Sequence, residues 1–416
     1  MKKGIIKILS GALALCLLCG SLFGCTTNNS DDGNGDGVTQ SDLMQGYVSQ
    51  MIAERIPDEG YYSAIRRVAA AMALKSLSVK ENSGVSPLAT VFGMSLAANG
   101  LSDKTQSEFL HALGDAKMGA LNEHNATYAH ILKKDTGASV LSSFRLGIGK
   151  SCFVPDTSFL QLNANYYGAD GYRLSFAESD VNALVTEWIT AKLGIQGMSF
   201  DAKCTAETAS LLVDTLSVTG EFESGFGAKE TAKFLTPDGE KDVSYLVSGE
   251  TLYASTAKSK GFAKTMKNGM TFVALLPQGS VTLEQLMQSL DADTLKSCYD
   301  GITEKGEFGV KIPEFSFNSG TDVSSALKTL GIKAVFEGKT LTDGEKPEFT
   351  VGKILNVISV KLTENGFTTS ANIPSASEQS SVASEGVAFT VFDKPFAFVV
   401  YDGAGVPITI GTVVNP

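Results

Sequence analysis

Histidine, serine and cysteine are the side chains from which most hydrolytic chemistry is built, and here their spacing builds none. The three histidines, His111, His124 and His130, form no His-Glu-x-x-His pair that would set two imidazoles on one metal. His111 and His130 read as surface positions on helices. No Gly-x-Ser-x-Gly elbow raises a serine nucleophile, and Ser86, just before Pro87, suits a helix start better. There is no phosphate-cradling glycine loop. The chain reads as no enzyme, with no cofactor and no metal. What remains is chemistry done to the chain. Between the strand-like ends of the tail run about twenty residues with little to bury, a loop uncommon unless functional or unstructured. From Asn365 to Val391 there is no Lys or Arg, and Ser380-Ser381-Val382-Ala383-Ser384 offers only small uncharged side chains. The loop is read as bait for a protease.

A second piece of chemistry concerns Cys25. Lys2, Lys3 and Lys7 flank or precede an apolar run from Ile8 to Leu22, too short for a confident membrane span. The run ends Leu22-Phe23-Gly24-Cys25, which resembles a bacterial lipobox. That resemblance implies cleavage before Cys25, diacylation of its thiol, and an exported cell-surface lipoprotein or extracellular protein. The body is then anchored to the membrane without spanning it. Losing residues 1–24 removes three lysines and makes the net charge of −11 more negative. So acidic a surface argues against nucleic acid as a partner. With Cys16 and Cys19 gone, Cys152, Cys204 and Cys298 remain, too few and too scattered for a disulfide framework or a zinc site. They read as small buried hydrophobes, or at most one bridge plus a free thiol.

The elements that position the loop follow from periodicity. Residues 25–42 read as a flexible Asn/Asp/Gly/Ser tether. Within it Asp32-Gly33-Asn34-Gly35-Asp36-Gly37 is similar to the start of a dockerin or EF-hand calcium loop. The twelfth position, which needs a carboxylate, is Leu43, and Asp42 falls one short, so a linker is the better reading. Residues 43–416 read as one domain. Helical periodicity marks Ala64–Leu77, Leu88–Ala98 and Asp180–Leu193. Strand patterns mark Leu211–Val218, Thr271–Leu276, Val310–Phe317, Val357–Leu362, Phe389–Phe392 and Ala397–Tyr401. Helices early and strands late predict an α+β domain with mostly antiparallel sheets.

In order, these segments resemble a serpin over nearly the whole domain. Asn82-Ser83-Gly84-Val85-Ser86-Pro87-Leu88 is similar to the family's N-x-x-x-S-P helix start, and Leu96 to Thr105 with Leu113-Gly114 to the stretch after it. Glu187-Trp188-Ile189 stands where the family has N-x-W-V. Val213-Asp214-Thr215-Leu216 through Phe226 resembles a long strand of the main sheet, and Leu275-Leu276-Pro277 a strand end. Lys311 to Phe315, Leu330-Gly331-Ile332 and Ala334-Val335-Phe336 resemble P-K-F…L-G-I-x-x-x-F. Phe392-Asp393-Lys394-Pro395-Phe396 and Gly411 to Pro416 resemble the C-terminal signature.

The resemblance implies about nine helices on three mainly antiparallel sheets, with an exposed reactive loop at about 364–391. It implies a monomeric serine protease inhibitor that offers this loop as a suicide substrate, forms an acyl-enzyme, and inserts the cleaved limb into the main sheet. The hinge would be Glu364, Gly366, Phe367, Thr368, Thr369, Ser370 and Ala371. Alternation along the inserting strand turns Phe367, Thr369, Ala371 and Ile373 to the core and Thr368, Ser370 and Asn372 outward. Counting from Gly366 puts the scissile bond after Ser380, before Ser381; counting back from Phe392 puts it after Ser384. The window Ser380, Ser381, Val382, Ala383, Ser384 suits the shallow pocket of an elastase-like or subtilisin-like extracellular protease. Four framework residues depart from the family pattern: Phe222 for Trp, Asn356 for His, Asp214 for Asn and Ala89 for Ser. In the loop, Phe367 is bulkier than the usual first inserting residue, and Pro374 cannot donate to a ladder. Those two departures keep a non-inhibitory serpin, a binding or structural module, as an alternative. A cellulosome-associated protective serpin would need the Asp32–Asp42 segment to bind calcium.

Overall fold

Capping side chains set where several of the helices begin. A computed structural model describes residues 40–115, 117–148, 152–198, 201–337, 349–372, 374 and 383–416. Strand β1 (Gln40–Asp42) precedes helix α1 (Glu59–Lys75), which opens where the Asp58 carboxylate accepts the Tyr61 N–H. After β2 (Ser83–Val85), Ser86 caps α2 (Pro87–Ala98), with Pro87 at the first helical position. Every residue of α2 is buried, which makes it the helix under the sheets. Next come α3 (Asp103–Leu113), α4 (Met118–Thr136), β3 (Ser139–Gly147), α5 (Thr157–Tyr167), β4 (Asp170–Leu174) and α6 (Val181–Leu193).

Strands dominate from there: β5 (Ser210–Ser217), β6 (Thr219–Glu221), β7 (Ala228–Thr236), β8 (Gly239–Thr256), β9 (Ser259–Thr265) and β10 (Thr271–Pro277). Helices α7 (Leu283–Met287) and α8 (Ala292–Asp300) lead to β11 (Thr303–Pro313) and β12 (Phe315–Asp322). Short α9 (Ser324–Thr329) and α10 (Ala334–Glu337) precede β13 (Lys353–Thr363), β14 (Gly366–Thr368), β15 (Phe389–Val391), β16 (Phe396–Tyr401) and β17 (Pro407–Val413). The architecture is the expected α+β one, with ten helices among the described residues.

The strands hydrogen-bond into an eight-stranded main sheet and a nine-stranded second sheet. The second is two of the three expected sheets joined through the 18-residue β8, whose start pairs with β7, whose middle (Tyr245–Tyr253) pairs with β11 and whose end pairs with β9. Strand β13 organises the main sheet. One edge is covered along its length by β12; the other is divided, with Lys353–Val357 parallel to Leu211–Thr215 of β5 and Lys361–Thr363 antiparallel to β14. An aromatic core of Phe272, Phe315, Phe317 and Phe398 lies among β10, β12 and β16.

Two readings need correction. Val310–Phe317, expected as one strand, is the end of β11 and the start of β12, which lie in different sheets; Pro313 closes the first of them. Gln40–Asp42, expected in the tether, pair with Leu174–Tyr172 of β4 as an edge strand, because extended polar backbone can satisfy an open sheet edge. Cys152, Cys204 and Cys298 are free thiols, the first and last buried. Among the described residues no helix is long and apolar enough to cross a membrane.

Candidate functional site: the reactive loop and the parted sheet

The segment expected as the hinge begins inside the sheet. Gly366–Thr368 form β14 with a partner on each side, Thr363–Lys361 of β13 and Glu221–Thr219 of β6, both antiparallel. Only glycine fits the first position, since a Cβ on Gly366 would lie 2.1 Å from the Gly220 carbonyl oxygen. The Phe367 ring is fully buried, 5.8 Å from the centroids of both Phe272 and Phe398. Its bulk is therefore housed in the core.

The paired strand ends beside Thr369. Its N–H donates to Val218 O at 2.8 Å, and its hydroxyl accepts the Val218 N–H at 3.0 Å and donates to Leu216 O at 2.5 Å. A side chain thus fills the place the next strand residue would take, just above the point where β5 and β13 meet. Beyond it the expected alternation fails. Thr368 and Ser370, expected outward, are buried, their hydroxyls clustered with Thr219. Ala371, expected inward, is exposed, because its N–H donates to Leu193 O at the end of α6 and the chain leaves the sheet. Pro374 is buried against the hinge, its Cβ 2.9 Å from where a Gly366 Cβ would be. Ile373 lies outside the described residues.

Two polar devices bracket the fork. At the top, Lys229 Nζ of β7 reaches Glu364 at 2.5 Å and Glu314 at 3.1 Å. Lys229 holds the Glu364 carboxyl below the usual carboxylate range, and that bond in turn pushes the Lys229 ammonium up. The turn is also clasped by main chain, with Phe222 N–H donating to Asn365 O and Phe226 N–H to Glu364 O. Below the fork, Asn356 sits opposite Asp214 across the β5–β13 seam. The Asn356 amide accepts from Ser86 N–H and donates to Ser86 O and Thr90 Oγ1, each at 2.9 Å. The Asp214 carboxyl is fully buried, and burial pushes it well above the usual carboxylate range. It fits because α2 has Gly93 there, where a Cβ would lie 2.0 Å from Asp214 Oδ2.

The far limb lies on the second sheet. Phe389–Val391 form β15, parallel to Gly309–Lys311 of β11, and Phe392 N–H donates to Lys311 O. Of the cleavage candidates, Ser380, Ser381 and Val382 lie outside the described residues. Ala383 and Ser384 are placed, and Ser384 is bound by Glu307. Sequence reasoning missed Glu307 and Lys229, which no motif marks. His124, unassigned from sequence, is buried with Nδ1 2.9 Å from Asp115 Oδ2, a structural pair.

The family model for the serpin (serine protease inhibitor) matches residues 66–416. Alpha-2-antiplasmin of Mus musculus is 23% identical over 351 residues, 82% of this chain and 68% of that protein. Among solved structures, the thermophilic serpin tengpin in its native state has a TM-score of 0.78 at 22% identity, covering 91% of this chain and all of its own. The latent state of tengpin scores 0.69 at 22% identity, covering 87% of this chain and all of its own.

Proposed function

We propose that this chain, which belongs to the serpin family, inhibits extracellular serine proteases as a suicide substrate. The protease acylates its own nucleophile on the loop. The freed hinge limb then extends β14 down the seam and carries the protease with it. The acyl-enzyme persists because the protease's oxyanion hole and triad are pulled out of register. Small residues throughout Ser380–Ser384 favour elastase-like or subtilisin-like proteases. In this reading the domain works outside the cell as a monomer, held at the surface by a diacylated Cys25.

One observation carries the reading: the sheet is parted above Thr369 and closed below it. Further insertion replaces the single parallel β5–β13 ladder by two antiparallel ones. Parallel pairing is the weaker per residue, so the exchange runs downhill in hydrogen bonds. The second reading, a non-inhibitory binding or structural module, draws on Pro374. It packs on Gly366 and has no N–H to give a growing ladder.

The test is incubation with an elastase followed by a denaturing gel. A band at the summed mass that survives boiling in detergent supports the inhibitor. Cleavage within Ser380–Ser384 with no such band and no rise in melting temperature sinks it and leaves the module.

A further inference from the structure

The second sheet holds the loop's candidate cleavage segment with a carboxylate. Strand β11 loses register between Glu304 and Phe308, a bulge that takes Glu307 out of the ladder. Ser384 gives both of its hydrogens to that one side chain. Its main-chain N–H donates to Glu307 Oε1 at 2.9 Å and its hydroxyl to Oε2 at 2.6 Å. The seat is open because residue 249 of β8 is glycine. A Cβ there would lie 2.6 Å from Glu307 Oε1 and 3.2 Å from Ala383 Cα. Three separate segments, β8, β11 and the loop, therefore converge on one contact. The two bonds from Ser384 hold the Glu307 carboxyl below the usual carboxylate range, so the acceptor is ionised at neutral pH.

A protease reads its substrate as an extended strand. It takes main-chain hydrogen bonds and places the side chain before the scissile bond in a pocket. Ser384 offers neither group while Glu307 holds both. We propose that Glu307 is a positioning residue that masks Ser384 and so directs cleavage to the hinge side of the window, at Ser380–Val382. The proposal rests on the reading of the loop as a protease substrate. It chooses between the two bonds that counting from Gly366 and from Phe392 leaves open, and so sets the length of the limb that enters the sheet.

The experiment treats the wild type, Glu307→Ala and Gly249→Ala with pancreatic elastase and with subtilisin, and locates the cut from the mass of the C-terminal fragment. Gly249→Ala displaces the carboxylate without removing it. The wild type should be cut within Ser380–Val382, and both variants should gain cleavage after Ser384 by roughly tenfold. Glu307→Gln, which still accepts one hydrogen bond, should gain less. Wild-type cleavage mainly after Ser384, or an unchanged cut pattern in the variants, overturns the proposal. Hydrogen exchange on the uncleaved proteins reads the contact without a protease: the Ser384 amide should exchange several-fold faster in Glu307→Ala. Equal exchange overturns it as well. The same digests are scored for a detergent-stable complex. Its absence with the shifted cut intact removes the inhibitor reading and leaves the mask, and the reverse result does the opposite.

Discussion

The two limbs of the loop are attached to the body in opposite ways. The hinge limb is zipped in: Gly366–Thr368 have a strand on each side, and Phe367 and Thr369 are fully buried. The far limb is laid on. Strand β15 has one partner among the described residues, and Phe389, 39% exposed, lies over Gly309 with Lys311 Nζ 5.1 Å from its ring. An antiparallel strand in a fork lengthens residue by residue without changing register. A one-sided parallel strand pinned at Phe392 has nowhere to go. In the proposed mechanism, then, the hinge limb travels after cleavage and the far limb stays.

The largest break in that contrast is Thr369→Arg. Its hydroxyl bridges Leu216 O and Val218 N–H in a site with no exposure. A buried guanidinium without a partner costs about 3 kcal/mol or more. The variant should fold with its limb expelled, be cut as a simple substrate, and show no gain in melting temperature on cleavage. A wild-type-sized gain would show that the fork at Thr369 is not where travel begins.

Next in size comes a matched pair of truncations. Phe367→Ala empties a core site between Phe272 and Phe398, which costs about 3–5 kcal/mol. Phe389→Ala removes a part-exposed ring and should cost about 1 kcal/mol or less. Denaturant unfolding of the uncleaved proteins measures both. Equal losses would mean that the limbs are held alike.

A smaller effect tests the seam itself. The buried Asp214 carboxyl has its folded pKa raised, so the fold favours its neutral form. A raised carboxyl contributes fully at pH below its unfolded value, and that contribution is lost as pH rises toward the folded one. Asp214→Asn should therefore be more stable than the wild type at pH 7, by about 1–2 kcal/mol, and the gap should close toward pH 4. A pH-independent gap in melting temperature would refute the assignment.

Much of this frame was legible from local signals. Ser86-Pro87 announced α2 through capping, and strand-like apolar runs marked β5, β13 and β16 within a residue or two at most ends. Gly366 stood out by family pattern, and the close approach of Gly220 O is the physical reason that the residue is glycine. What stayed illegible depends on parts distant in sequence. Alternation placed Phe367 and Thr369 correctly but failed at Ala371, because the end of α6 captures that N–H. Glu307 meets Ser384 only because a bulge and Gly249 open the space. Neither carries a motif, since the contact joins a strand bulge to a loop distant in sequence.

The smallest expected effect concerns the root of the hinge limb. Lys229 holds both Glu364 and Glu314, so Lys229→Ala leaves two carboxylates near β14 without their shared cation. The Lys229 side chain is 43% exposed, and solvent screening limits the loss to about 1 kcal/mol or less. Its pH dependence gives the sign. Glu364 has a depressed folded pKa, so its contribution is present above the ordinary carboxylate range and is lost as pH falls through the folded value. The variant should therefore melt below the wild type at neutral pH and low salt. The difference should shrink toward pH 3 and in high salt, where the carboxylates are neutral or screened. Because the far limb has no part in this triad, hydrogen exchange should quicken at Phe367–Thr369 and stay unchanged at Phe389–Val391. Equal quickening at both ends would mean that the limbs open together, and the contrast between a zipped limb and a laid one would fail.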